Sequence, residues 1–118
     1  MFEQIGEYNP INLIAGNQVP LLTEGVILAT GGDVLKAGTV IALLTTDSTG
    51  KVVDGTKEDG TENPYGILTE DVSLSETETT KATVYVSGYF NADALIFGGT
   101  DTAATHKATL RTLGIYLI

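Results

Sequence analysis

The chain has 118 residues, a net charge of −9 from 15 carboxylates against 6 basic residues, and no cysteine. A length of this order is one domain that folds without staples, and the missing cysteines exclude disulfides, thiolate chemistry and cysteine zinc sites. The acidity argues against a nucleic-acid-binding face, which needs clustered Lys and Arg, and no run approaches the ~20 apolar residues of a bilayer span.

In chain order, Met1–Glu7 lacks a basic n-region and an apolar h-region, so no secretory signal is expected. Asn9-Pro10 and Val19-Pro20 hold their preceding residues extended, and Ile11, Leu13 and Ile14 are too few apolar residues for a core element. Residues 1–20 therefore read as either an arm laid on another surface or a poorly ordered lead-in, ahead of a domain at 21–118. Threonine fills 18 positions and glycine 14, a composition that favours strands over helices. Leu21–Thr30 reads as one or two strands broken at Gly25, followed by the turn Gly31-Gly32-Asp33. Val34–Thr45 contains the run Val40–Leu44, apolar on both faces and expected to be the most buried strand. Asp47–Gly50 is turn chemistry, and Lys51–Val53 returns to make a hairpin.

Asp54–Asn63 is polar throughout and predicts a solvated loop closed by Pro64, with Tyr65–Thr69 as the next strand. Ser73–Thr80 predicts an exposed connection or strand edge. Lys81–Phe97 carries the clearest pattern. Ala82, Val84, Val86 and Phe90 alternate with Lys81, Thr83, Tyr85, Ser87 and Tyr89, as in a strand with one face in a core. Asn91-Ala-Asp-Ala-Leu then predicts a short capped helix stopped by Gly98-Gly99. A second helix runs from a cap at Thr100 or Asp101 to about Leu113, with Ala103, Leu110 and Leu113 near one face and Gly114 as its left-handed stop. Ile115–Ile118 ends the chain as a strand. The whole reads as mainly β with two short helices (α+β), a compact single domain behind an extended N-terminal arm.

Chemistry-bearing patterns are absent. His106, the lone histidine, has no metal-binding partner and reads as a surface residue. Neither a nucleophile elbow nor a glycine-rich phosphate loop occurs. Counted as a calcium loop from Asp54, the sixth position is Asp59 where a glycine is needed. Lys36 and Lys51 lack the hairpin context of a lipoyl or biotinyl carrier. The expectation is a protein that is not an enzyme and takes no cofactor and no metal. A non-catalytic carbohydrate- or receptor-binding module is the alternative; Tyr85 with Tyr89 is its one candidate platform, although packing or a subunit contact suits those rings better.

From about Pro20 onward the chain resembles the head decoration protein D family of lambda-like tailed phages. The resemblance rests on D-S-T-G-K-V-V at Asp47–Val53, P-Y-G-I-L-T-E-D-V at Pro64–Val72, T-V-Y-V-S-G-Y-F at Thr83–Phe90, and a Thr- and Lys-containing helix followed by a short apolar strand. Two features depart from the family pattern: the Asp54–Asn63 loop is longer, and Gly98-Gly99 stands where the lambda protein has a Trp-Pro pair, so that a packed aromatic at that joint is either absent or replaced by Phe97. The resemblance implies a β-tulip-like domain that forms homotrimers on the outer surface of the expanded capsid, at three-fold and quasi-three-fold sites. It implies binding to the major capsid protein, stabilisation of the head against packaged DNA, no nucleic-acid or membrane partner, and assembly into the virion in the host cytoplasm. The arm would add to strands of the capsid protein, with Ile5, Pro10, Ile11, Leu13 and Ile14 as its capsid-binding residues.

Overall fold

One strand organises the molecule. In the computed structural model, which describes residues 14–16, 21–99 and 101–118, strand β8 (Thr80–Phe90) pairs with four others. Its 11 residues run antiparallel to β2 (Leu22–Leu28) on one side and to β6 (Pro64–Leu68) on the other. Beyond Ser87 the same strand meets β1 (Ile14–Gly16), antiparallel, and β9 (Ile115–Leu117), parallel. The alternation of Lys81–Phe90 thus belongs to a strand sandwiched along its length.

The ring closes through short partners. β4 (Val40–Leu43) pairs antiparallel with β5 (Gly50–Val52) through Ile41↔Val52, the expected hairpin, and with β6 through Val40↔Ile67. β5 meets β2 in parallel at Leu28↔Gly50. Following β8, β2, β5, β4 and β6 back to β8 gives a small closed barrel, which removes the unpaired edges an open sheet would expose. A separate ribbon of β3 (Val34–Leu35) and β7 (Val72–Ser73) lies off the barrel.

Adjacent residues of one strand point to opposite faces, and here they enter two cores. Ile41 packs with Val26, Leu28, Leu68 and Val84. Its neighbours Val40 and Ala42 pack instead with Val53, Ile67, Phe90, Leu110, Ile115 and Leu117. Val40, Ile41 and Ala42 are all fully buried, as a run apolar on both faces requires. The second core is covered by α1 (Ala103–Leu113), the one α-helix among the described residues, and by β9.

Several local expectations change. β2 passes through Gly25 unbroken, because Gly25 pairs with Thr83 in the ladder. The helix expected after Asn91 is a single 3-10 turn, Ala92–Ala94, and Leu95 already returns to extended geometry to reach the core. α1 is capped by Thr102 rather than by Thr100 or Asp101: the Thr102 N–H donates to the Thr105 hydroxyl at 3.0 Å. Leu113 lies in the last turn, just before the left-handed Gly114, and is 44% exposed rather than part of the buried face. At Gly88 (φ +139°) an added Cβ would lie 2.5 Å from Leu21 Cδ2. Only glycine lets β8 pass between Leu21 and Phe90 there.

Candidate interaction surfaces and a buried Asp–His clasp

The residues expected to bind another protein lie at the N-terminus. Ile5, Pro10, Ile11 and Leu13 fall outside the described residues. Ile14 opens β1 and is paired opposite Phe90, with Gly16 opposite Tyr89. The backbone of this part of the segment is therefore engaged within its own chain.

Tyr85 and Tyr89 each pack on a different aromatic partner. Tyr85 packs against the second core with its ring centroid 5.5 Å from that of Phe90. Tyr89 pairs with Tyr116 across the β8–β9 ladder, at 5.3 Å. Both contacts have the tilted geometry common to packed aromatic pairs. An open groove of about 450 Å³ lies elsewhere, lined by Gly25, Val26, Ile27, Leu43, Ser48, Tyr65, Lys81 and Ala82. It brings no set of titratable groups together, and among the described residues no three His, Asp or Glu side chains converge as metal ligands would.

The most constrained polar cluster is one that sequence reasoning placed on the surface. His106 is 4% exposed. Its Nε2 lies 2.6 Å from Asp101 Oδ2, and its ring stacks on Phe97 at 5.7 Å with 15° between planes. The correction follows from helix phase: Ala103, His106 and Leu110 recur at i, i+3 and i+7, so His106 shares the face that Leu110 buries. The phase was readable once Leu110 was assigned to the core. The partner was not, because Asp101 looked like a cap. Asp101 instead turns to His106, and its Oδ2 also accepts the Gly55 N–H at 2.6 Å.

This clasp fixes the polar loop between β5 and β6. Gly98 and Gly99 let the chain lie directly on that loop: a Cβ on Gly98 would stand 2.6 Å from the Val53 carbonyl oxygen, and one on Gly99 would stand 2.6 Å from Asp54 Oδ1. Phe97 does supply the aromatic packing at this joint. The loop itself is not wholly solvated. Thr61 is 2% exposed, its N–H and hydroxyl both donating to Asp59 Oδ1 at 3.1 and 2.5 Å. The same Asp-x-Thr device closes Asp54–Thr56, at 3.0 and 2.6 Å, and Asp47–Thr49, at 3.1 and 2.8 Å. These bonds hold all three carboxyls below the ordinary aspartate range. The Thr hydroxyl is the leading cause at Asp54 and Asp59, and the Thr49 N–H at Asp47.

The sequence model of the family described as bacteriophage lambda head decoration protein D matches residues 4–117. The chain belongs to that family. The match spans nearly the whole chain and agrees with the β-rich architecture. No curated protein sequence matches this one. A head decoration family is a structural family and its members are virion capsid components.

Proposed function

We propose that this protein is a capsid stabiliser that forms trimers on the outer surface of the expanded phage head, at three-fold and quasi-three-fold positions, and holds the shell against internal DNA pressure. The observation that carries this reading is the family match over residues 4–117. The net charge of −9 supports a place outside the shell, since a protein carrying it gains nothing from contact with nucleic acid. The capsid contact is assigned to the N-terminal segment, where Ile5, Pro10, Ile11 and Leu13 would lie along strands of the major capsid protein. Main-chain hydrogen bonds would give the affinity of that contact, and alternate apolar side chains its register. Because Ile14 and Gly16 already pair with β8, strand addition falls to the residues before Ile14.

The test is calorimetry of heads of the cognate phage with and without the purified protein. Expanded heads should melt at higher temperature when it is bound, and unexpanded heads should not bind it. A protein that leaves the melting of expanded heads unchanged at saturating concentration is not a stabiliser.

A further inference from the structure

The loop between β5 and β6 contains two Asp-Gly links, Asp54-Gly55 and Asp59-Gly60. In an unrestrained chain this dipeptide is prone to close on itself, because glycine puts no side chain in the way of the attacking nitrogen. The glycine nitrogen attacks the aspartate Cγ, an N–Cγ bond forms, the Cγ–OH bond breaks, and the amide proton departs with that hydroxyl as one water. Water then reopens the resulting succinimide at its other carbonyl to give isoaspartate, which lengthens the main chain by one carbon. Closure needs a nitrogen able to give up its proton and a carboxyl that is neutral and free to rotate onto it.

Both links are blocked on both counts. The Gly55 N–H donates to Asp101 Oδ2 at 2.6 Å, and the Gly60 N–H donates to Glu62 Oε1 at 2.8 Å. The carboxyl of each link is meanwhile held by the threonine two residues on, Asp54 by Thr56 and Asp59 by Thr61. We infer that Asp101 and Glu62 act as guards of the two Asp-Gly nitrogens, suppressing succinimide formation in a loop that would otherwise age chemically. A carboxylate against the N–H opposes ionisation of that nitrogen, since the developing negative charge would face a full one. The threonine clamps keep each acid ionised, and a carboxylate has no hydroxyl to lose.

The guards are separable. Glu62 is local to its link, whereas Asp101 reaches across 46 residues and is itself held by His106. Damage would also have structural reach: the Asp54 N–H donates to the Thr61 carbonyl at 2.8 Å, so an extra main-chain carbon at either link displaces the pairing that closes the loop.

The test incubates the full chain at neutral pH and body temperature and maps isoaspartate at each link by peptide mass spectrometry. The same chain kept unfolded in urea gives the reference rate. The native protein should accumulate isoaspartate at least about tenfold more slowly than the unfolded chain, the factor that one charge-assisted hydrogen bond commands. Glu62→Ala should raise the rate at Asp59 and leave Asp54 slow. Asp101→Asn, which keeps the shape and removes the charge, should do the reverse. Circular dichroism on both variants confirms the fold, and the Glu62 variant decides the matter because, among the described residues, its side chain bonds only the Gly60 N–H. A folded Glu62→Ala protein whose Asp59 ages at the native rate, or a native protein that ages as fast as the unfolded chain, overturns the proposal.

Discussion

Asp101 and His106 form a buried pair, 2.6 Å between Oδ2 and Nε2, with each side chain 5% exposed. They are five residues apart and straddle the start of α1, so the pair fixes where the helix begins as well as what it packs on. Replacing His106 with Ala leaves the Asp101 carboxylate buried with one donor fewer and removes the ring stacked on Phe97. The expected loss is about 1–3 kcal/mol from the stranded acceptor alone. Urea denaturation of the variant checks it. A midpoint equal to that of the native protein would mean that the pair contributes nothing net.

The two cores make a sharper contrast. Phe90 is fully buried at the point where β8 meets both β1 and β9, and its ring touches Tyr85. Phe90→Ala should cost about 3–5 kcal/mol, the range for losing a buried aromatic and leaving a cavity. Leu113→Ala, on a side chain 44% exposed, should change stability by no more than about 0.5 kcal/mol. Equal effects at the two positions would contradict the helix phase that buries His106 and Leu110.

Gly88→Ala should destabilise the protein by about 1–3 kcal/mol, from the strained positive φ and the 2.5 Å approach to Leu21. Gly25→Ala makes a suitable control, since an added Cβ there meets nothing nearer than the Ala82 carbonyl oxygen at 4.0 Å. Thermal melts of the two variants compare them directly.

The Asp-x-Thr clamps give stability a pH dependence of known sign. Asp47, Asp54 and Asp59 have folded pKa values below the ordinary 3.8, so the folded state releases these protons more readily than the unfolded one. Their contribution is fully present above 3.8 and is lost as pH falls through the depressed values. Thr49→Val and Thr56→Val together remove two of the hydroxyl donors. The double variant should be less stable than the native protein near neutrality, with the difference shrinking as the acid limb is descended. Denaturation curves at several pH values read this directly, and a gap that widens on acidification would reverse the assignment.

How much of this was legible depended on the range of the interactions. The alternation at Ala82, Val84 and Val86 is a local period of two, and β8 stands where that pattern placed it, but Phe90 enters the other core with Tyr85, because the ladder slips by a residue between Tyr85 and Ser87. The buried run at Val40, the Asp47–Gly50 hairpin turn and the Gly114 stop are likewise local signals, and each is present. Barrel closure was not legible, because it depends on β8 reaching β6 and β2 on its two sides, and no short window encodes which strands are neighbours. His106 reads as a surface residue only while the core face of its helix is unassigned. Its burial follows from the helix phase it shares with Leu110, but its partner Asp101 is held in turn by Gly55, 46 residues away, and a lone histidine on a Thr-rich helix carries no mark of that contact. The three Asp-x-Thr repeats are visible in the sequence, but Asp47-x-Thr49 reads there only as part of a turn and the other two only as parts of a solvated loop.

The capsid contact is best tested by deletion at a boundary the pairing defines. Because β1 begins at Ile14 and pairs with β8, removing residues 1–13 leaves every described strand of the barrel and both cores in place. The shortened chain should keep the circular dichroism spectrum and melting temperature of the full protein to within a few degrees. Its affinity for expanded heads should fall by at least tenfold, about 1.4 kcal/mol, measured by co-sedimentation over a range of protein concentrations. Restoring the segment with Ile5, Ile11 and Leu13 all changed to Ser should not recover it, since the main-chain bonds would form without the apolar contacts that set their register. Undiminished binding by the 14–118 chain would move the contact from the N-terminal segment onto the barrel itself.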